Sequence, residues 1–310
     1  MWGWRFVIDE SGFAFDTADP AEIEDSFDRF LVLLDYARST PAEIRRSEFL
    51  FDIESSDGRR LPELLSDRGI DRDIRNALWT ALDRVGKYDD EPDELAYRID
   101  GADVAIAPSA GIAAVKARSG YDLACLTTQH AARSGECVVA DIADPGREST
   151  VYFLRSERDA PEFWRRILCR DEHSVADLEA HAELFFPRTV FADGIWAQVS
   201  RFEGARLAVW PLLVRNLGGL ADHAAAVWAS EVEPHRRMSQ MQSRASVNCS
   251  PESPKTHANV KAMRKRTVTF DEGDVVCEWH VKLERHRNRV HFAVQSGRVY
   301  VGFFVRHMTT

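Results

Sequence analysis

From Val275 to Arg306 apolar residues fall on nearly every second position, and a period of two restricts the end of the chain to β-strands. Three segments register by alternation. In 275–283, Val275, Cys277, Trp279, Val281 and Leu283 lie opposite Glu278, His280 and Lys282. In 289–294, Val290, Phe292 and Val294 oppose Arg289 and His291; in 298–306, Val299, Val301, Phe303 and Val305 oppose Arg298, Tyr300, Gly302 and Arg306. The connections at 284–288 and 295–297 are short, so an antiparallel meander is expected. One face would bury the Val/Trp/Phe set, and the other would gather His280, Lys282, Arg289, His291, Arg298, Tyr300 and Arg306.

Charge is distributed unevenly along the chain. The 310 residues hold 40 Lys+Arg and 50 Asp+Glu, net -10. From His235 to the end there are 14 basic and 6 acidic residues, net +8, against 26 and 44, net -18, over residues 1–234. Such a split predicts two bodies with different partners. With 45% hydrophobic residues, disorder is excluded as a global description. No apolar run approaches the ~18 residues of a spanning helix, and acidic Asp9-Glu10 stands where a signal peptide would be apolar, so a cytoplasmic protein with no membrane partner is expected. The five cysteines are odd in number and lack a Cys-x-x-Cys pair, which favours buried thiols over disulfides or a four-cysteine zinc site.

The fold class expected is α+β. An acidic α/β domain would span 1–158, with short strands at Trp4, Phe6, Ile8 and at 49–51, a helix over 20–36 after Asp19, a second helix on Ile74, Leu78, Leu82 and Val85, and an exposed loop at 89–94. Residues 101–128 read as a strand, helix and strand, a βαβ unit, and 137–142 and 150–154 as further strands. A helical extension would cover 159–233, with Trp164, Trp196, Trp210 and Trp228 in its core. Residues 234–261, polar and twice interrupted by proline, read as a linker or long loop, leading to a basic β-rich domain at 262–310.

A basic face that holds an aromatic ring suits phosphate and unstacked bases, so nucleic acid, RNA before DNA, is the leading partner. The segments Glu278-Trp-His-Val-Lys-Leu, Arg289-Val-His-Phe and Val299-Tyr-Val-Gly-Phe-Phe-Val-Arg-His resemble the terminal sheet of RelE/ParE-type bacterial toxins, over roughly the last seventh of the chain. An acidic front joined to such a tail also resembles accessory proteins of toxin–antitoxin or phage-defence loci. The resemblance implies RNA binding and an endoribonuclease that needs neither metal nor cofactor. Lys282, Arg289 and Tyr300 would then handle substrate and His280, His291 or His307 would transfer protons, as a ribose 2′-hydroxyl attacks the adjacent phosphate and Arg289 and Arg298 stabilise the developing charge. Arg264, Lys265, Arg266, Arg298 and Arg306 would contact nucleic acid. Gyrase-poisoning members share that fold without being nucleases. A sheet that binds without chemistry, one that docks on an acidic protein or on the chain's own acidic body, and one that serves as an assembly surface therefore remain open.

Other patterns have plainer readings. Cys277 and His280, three apart on a strand, point to opposite faces, so no metal site is expected from them. Pro108-Ser-Ala-Gly starts a helix that could seat a phosphate. Asp9-Glu10, the Asp52/Glu54 pair and the Asp71/Asp73 pair are acidic pairs that suit either magnesium or a solvated surface. Ser250, Ser253 and Lys255 combine a nucleophile with a base, but between prolines.

Overall fold

Phe6, Val7 and Ile8 are buried in succession, as a strand covered on both faces requires. They belong to β1 (Gly3–Ile8), inside an eight-stranded mixed sheet. The computed structural model to which this sheet belongs describes residues 2–89, 94–284 and 287–306. Helix α1 (Pro20–Ser39) follows β1; the Asp19 carboxylate accepts from the Ala21 N–H at 2.9 Å, and Ile23, Phe27, Phe30 and Leu34 form its buried stripe. The chain returns through β2 (Ala42–Arg46), parallel to β1. Next come α2 (Leu61–Leu64), α3 (Arg72–Asp83, capped by Asp71) and β3 (Gly86–Lys87). The hairpin of β4 (Tyr97–Ile99) and β5 (Ala102–Val104) forms the opposite edge. Helix α4 (Pro108–Arg118) leads to β6 (Ala124–Leu126) beside β1, and β7 (Gly135–Asp141) and β8 (Glu148–Leu154) complete the order β3-β2-β1-β6-β8-β7-β4-β5. Gly111 brings α4 onto Tyr97, since a Cβ there would overlap the tyrosine ring.

Two local expectations for this region are corrected. Residues 49–51 lie in a 3-10 turn (Glu48–Asp52), and the strand is β2 just before it. The strand–helix–strand order at 101–128 holds, but β5 pairs antiparallel with β4 at the sheet edge, so the unit is not a parallel βαβ. The acidic loop at 89–94 lies mostly outside the described residues, at 90–93.

The remaining elements are α5 (Ala160–Arg170), α6 (Val175–Phe185), β9 (Thr189–Phe191), α7 (Arg206–Ser230), α8 (Pro234–Ala245), β10 (Cys249–Pro251), α9 (Pro254–His257), α10 (Val260–Arg264), β11 (Thr267–Phe270), β12 (Gly273–Val276), β13 (Trp279–Lys282), β14 (Arg289–Gln295) and β15 (Arg298–Val305). The expected antiparallel meander is present as β13, β14 and β15, inside a five-stranded sheet ordered β10-β13-β14-β15-β9. Its apolar face meets α7, where the Trp228 ring lies 4.8 Å from that of Trp279 and 5.7 Å from that of Phe292. Trp164, Trp196 and Trp210 are buried and Trp228 is half-buried.

The observed division lies five residues beyond the expected limit at 158, and the expected limits at 233 and 261 fall inside the second unit. The fold is α+β in two units that divide between Phe163 and Trp164. β9, from the stretch expected to be mostly helical, pairs with β15, so the helical extension and the basic domain share one sheet. Residues 234–261 are not a linker; they form α8, β10, α9 and the start of α10. Helix α8 has no apolar stripe because Met241 is its one buried residue. The charge asymmetry persists at the observed division. Residues 1–163 carry 19 basic and 34 acidic residues, net -15, and 164–310 carry 21 and 16, net +5.

Strand parity also needed two repairs. The run at 275–283 is broken, because β12 turns aside to pair with β11 and the Glu278 N–H donates to the Val276 carbonyl at 2.9 Å. Opposite β14, the register passes from His291↔Phe303 to Phe292↔Val301, leaving Gly302 as an extra residue. Beyond that bulge Phe304, not Phe303 or Val305, is the buried member. A Cβ at Gly302 would meet Cys277 Sγ at 2.7 Å, so the close approach requires glycine.

Among the described residues no helix is long and apolar enough to cross a membrane. Cys125, Cys137, Cys249 and Cys277 are buried thiols, whereas Cys169 is exposed, contrary to the uniform expectation.

Candidate functional site

The face of the second unit's sheet opposite α7 carries His280 in register with His291 and Lys282 in register with Arg289. It is not the open surface that alternation predicts. The chain from β10 to β12 folds over it, held by the Glu252 N–H donating to the Glu278 carbonyl at 2.8 Å and the Cys277 N–H donating to the Arg266 carbonyl at 2.8 Å. His280 and Tyr300 are 5% exposed, Arg266 1% and His291 not at all. The Tyr300 ring packs edge-on against Phe270 at 5.1 Å. Arg266, Tyr300, His280 and His291 are therefore corrected from surface contacts to interior groups.

At the centre, Arg266 Nε donates to Glu252 Oε1 at 2.6 Å and Arg266 Nη1 donates to the Ala262 carbonyl at 2.8 Å. Burial pushes the Glu252 carboxyl up, but the Arg266 hydrogen bond and charge outweigh it, and the net shift is downward. The two imidazole rings stand 5.4 Å apart. Burial, then the charge of Arg289, brings His280 down to about 4; burial, then its neighbour His280, brings His291 down to about 3. Both are neutral near pH 7. Ser250 Oγ lies 3.2 Å from His280 Nε2, but His280 Nδ1 has no hydrogen-bond partner among the described residues, so nothing orients this pair as a nucleophile and base. Ser253 instead caps α9. One ligand atom from each of Glu252, His280 and His291 lies within 4.8 Å of the others, a donor set of metal-binding size.

The remaining candidates differ in their partners. Arg298 pairs with Glu272 and Arg306 with Glu203, each at 2.7 Å. Arg264 and Lys265 are exposed. Lys282 and Arg289 are half-buried, and neither has an ion-pair or side-chain hydrogen-bond partner among the described residues. His307 lies outside the described residues. Cys277 Sγ lies 3.9 Å from the Tyr300 carbonyl.

The first unit has its own polar centre, at the carboxyl ends of β1 and β6 where the sheet order reverses. Ligands of open α/β sheets bind at such a reversal. Here the position is filled by the chain itself. Ser109 N–H and Oγ donate to the Glu10 carboxylate at 3.2 and 2.5 Å, so the N-terminus of α4 holds Glu10 in place of the phosphate considered for it. Asp9 accepts from Ser11 Oγ at 2.6 Å and Thr127 Oγ1 at 2.8 Å. Both carboxyls are fully buried and engaged by protein donors, which corrects the reading of Asp9-Glu10 as a solvated acidic pair. Asp71 caps α3, and Glu54 pairs with Arg60.

Burial raises the Glu10 carboxyl to about 8, against 4.5 for the free group. Below 4.5 both folded and unfolded forms are protonated. Between 4.5 and 8 only the unfolded form loses its proton, so stability falls as pH rises, by up to about 1.4 kcal/mol per pH unit. Glu10→Gln keeps the Ser109 contacts and removes the titration. Urea unfolding from pH 5 to 8 should show the variant gaining on the wild type as pH rises; parallel curves would contradict the assignment.

Two clefts of the second unit lie elsewhere. One, of about 300 Å³, is lined by His173, Leu178, Trp196 and Trp210, and the other, of about 600 Å³, by Glu179, Glu183, Arg188 and Arg298; neither includes Glu252, His280 or His291. The histidine centre is thus a closed core with a cationic rim.

Comparison of the chain with protein-family models, curated proteins and solved structures finds no match, so its function rests on this geometry.

Proposed function

We propose that the second unit binds single-stranded RNA through the rim formed by Lys282 and Arg289, without cutting it. The observation that carries this reading is a like-charged pair, in register across β13 and β14, that has no carboxylate partner among the described residues. Like charges directly opposite on a sheet are destabilising, and an anion between them would offset that cost. Other basic side chains of this sheet, Arg298 and Arg306, are already neutralised by Glu272 and Glu203.

A phosphodiester fits the rim better than a carboxylate because the neighbouring groups suit the rest of a nucleotide. Ser250, half-buried beside His280, offers a hydroxyl to a ribose 2′-hydroxyl, and half-buried Phe303, in register with His291, offers a plane for a base. Cleavage is not part of the reading. His291 and Tyr300 are enclosed, and the neutral His280 ring is bonded to Ser250 rather than to a third group that would orient it. A binding role of this kind suits the toxin or phage-defence setting that the sheet's resemblance implies.

The test is fluorescence anisotropy of a short labelled RNA titrated with the full chain at two salt concentrations. Two phosphate contacts should give a log–log salt slope of about -1.4, and RNA should bind tighter than DNA of the same sequence. Absence of binding, or binding insensitive to salt, would overturn the proposal; equal affinity for DNA would overturn the choice of RNA.

A further inference from the structure

The histidine centre beneath the rim has more nitrogen donors than the protein uses. His291 is fully buried, and neither of its ring nitrogens has a hydrogen-bond partner among the described residues; the same holds for His280 Nδ1. One His291 nitrogen feels the Cys277 backbone without reaching hydrogen-bond geometry. An unsatisfied buried polar atom costs about 1–3 kcal/mol, and a neutral imidazole always presents one bare lone pair. The two rings stand 5.4 Å apart beside the Glu252 carboxylate, so the unpartnered nitrogens gather at one place.

We infer that Glu252, His280 and His291 bind a divalent transition-metal ion of the zinc class. Two imidazoles and one carboxylate suit a borderline ion of tetrahedral preference better than magnesium or calcium, which seek oxygen. The three donor atoms fall within 4.8 Å of one another, and ligand–metal bonds of about 2 Å at tetrahedral angles would draw them in to about 3.3 Å. Two features fit ligation. Arg266 Nε donates to Glu252 Oε1 at 2.6 Å, as outer hydrogen bonds to a ligating carboxylate do, and His291 Nδ1 lies 3.7 Å from that oxygen. The ligands also come from separate parts of the chain, Glu252 just after β10, His280 on β13 and His291 on β14, so an ion would fasten the covering segment to the sheet. Water or an anionic oxygen would complete the shell at the fourth position. The ion's charge, added to Lys282, Arg289 and Arg266, makes that position selective for anions.

This inference stands independently of RNA binding, because its readout is metal content. The full-length chain, stripped with chelator and dialysed against zinc chloride alone, should retain one zinc per chain and gain thermal stability. His280→Asn and Glu252→Gln, the latter keeping an acceptor for Arg266, should each lower zinc affinity about 100-fold or more, a larger loss than the 10–100-fold that follows removal of an outer partner. If the variants fail to fold, cobalt(II) added to the wild-type chain should give the ligand-field absorption of a tetrahedral nitrogen/oxygen site. A wild-type chain that takes up neither metal would overturn the inference, as would zinc bound equally by folded His280→Asn and Glu252→Gln.

Discussion

Arg266→Met should destabilise the second unit by about 3–5 kcal/mol, the cost of leaving a buried carboxylate without its cation. Arg266 and Glu252 have side-chain exposures of 1% and 7%, and the arginine also closes α10 by donating to the Ala262 carbonyl. Methionine fills the volume but supplies no donor, so Glu252 remains in the sheet core beside two neutral histidines. Double substitution of Arg266 and Glu252 by Met and Leu should recover much of the loss, because matched apolar groups avoid the uncompensated charge. Denaturant unfolding followed by the fluorescence of Trp228 and Trp279 reads the relevant unit. A single-variant loss below about 1 kcal/mol, the range of exposed pairs, would mean that the pair is not enclosed as described.

The second large effect concerns binding. Lys282→Ala with Arg289→Ala should weaken RNA affinity by about 3 kcal/mol, roughly 150-fold, since each charge-assisted contact to phosphate is worth about 1.5–3 kcal/mol. The salt slope should flatten as the two phosphate contacts disappear. Arg298→Ala with Arg306→Ala removes the same formal charge from the same sheet, yet these arginines already hold Glu272 and Glu203. That pair should change affinity by less than about threefold, in line with the small worth of exposed ion pairs. Equal losses from both double variants would show that net charge, and not the unpaired rim, drives the interaction.

How far this was legible in the sequence depended on which residues carried periodicity. Alternation along Trp279, Val281, Val290 and Phe292 located three strands and their buried face, because each side chain on a pleated strand commits its neighbour to the other side. It could not reveal what covers the polar face, and so His280, His291 and Tyr300 were read as surface groups. The cover comes from 249–278, whose two short helices bury little, with Thr256 and Ala262 their buried residues. The Gly302 bulge escaped for a related reason: one extra residue shifts parity without altering the apolar count.

Glu252 has a distinctive sequence context. It is the one acidic residue between Glu233 and Asp271, in a stretch with eight Lys and Arg. A single carboxylate in a basic, proline-interrupted segment has a reason to be there, and here it is the buried partner of Arg266. In the first unit Asp9, Glu10 and Ser109 were each noticed, but 99 residues separate Glu10 from Ser109 and only the sheet topology joins them. Such long-range pairing between groups of ordinary sequence context is not encoded in local periodicity.

The measurement that bears most directly on the central claim is ultraviolet crosslinking of a labelled RNA to the full chain, with the adducts mapped by mass spectrometry. Adducts on β13, β14 and the facing part of β15, around Lys282, Arg289 and Phe303, and their disappearance in the Lys282→Ala, Arg289→Ala variant, are the predicted result. Adducts confined to residues 1–163, or unchanged in that variant, would contradict it.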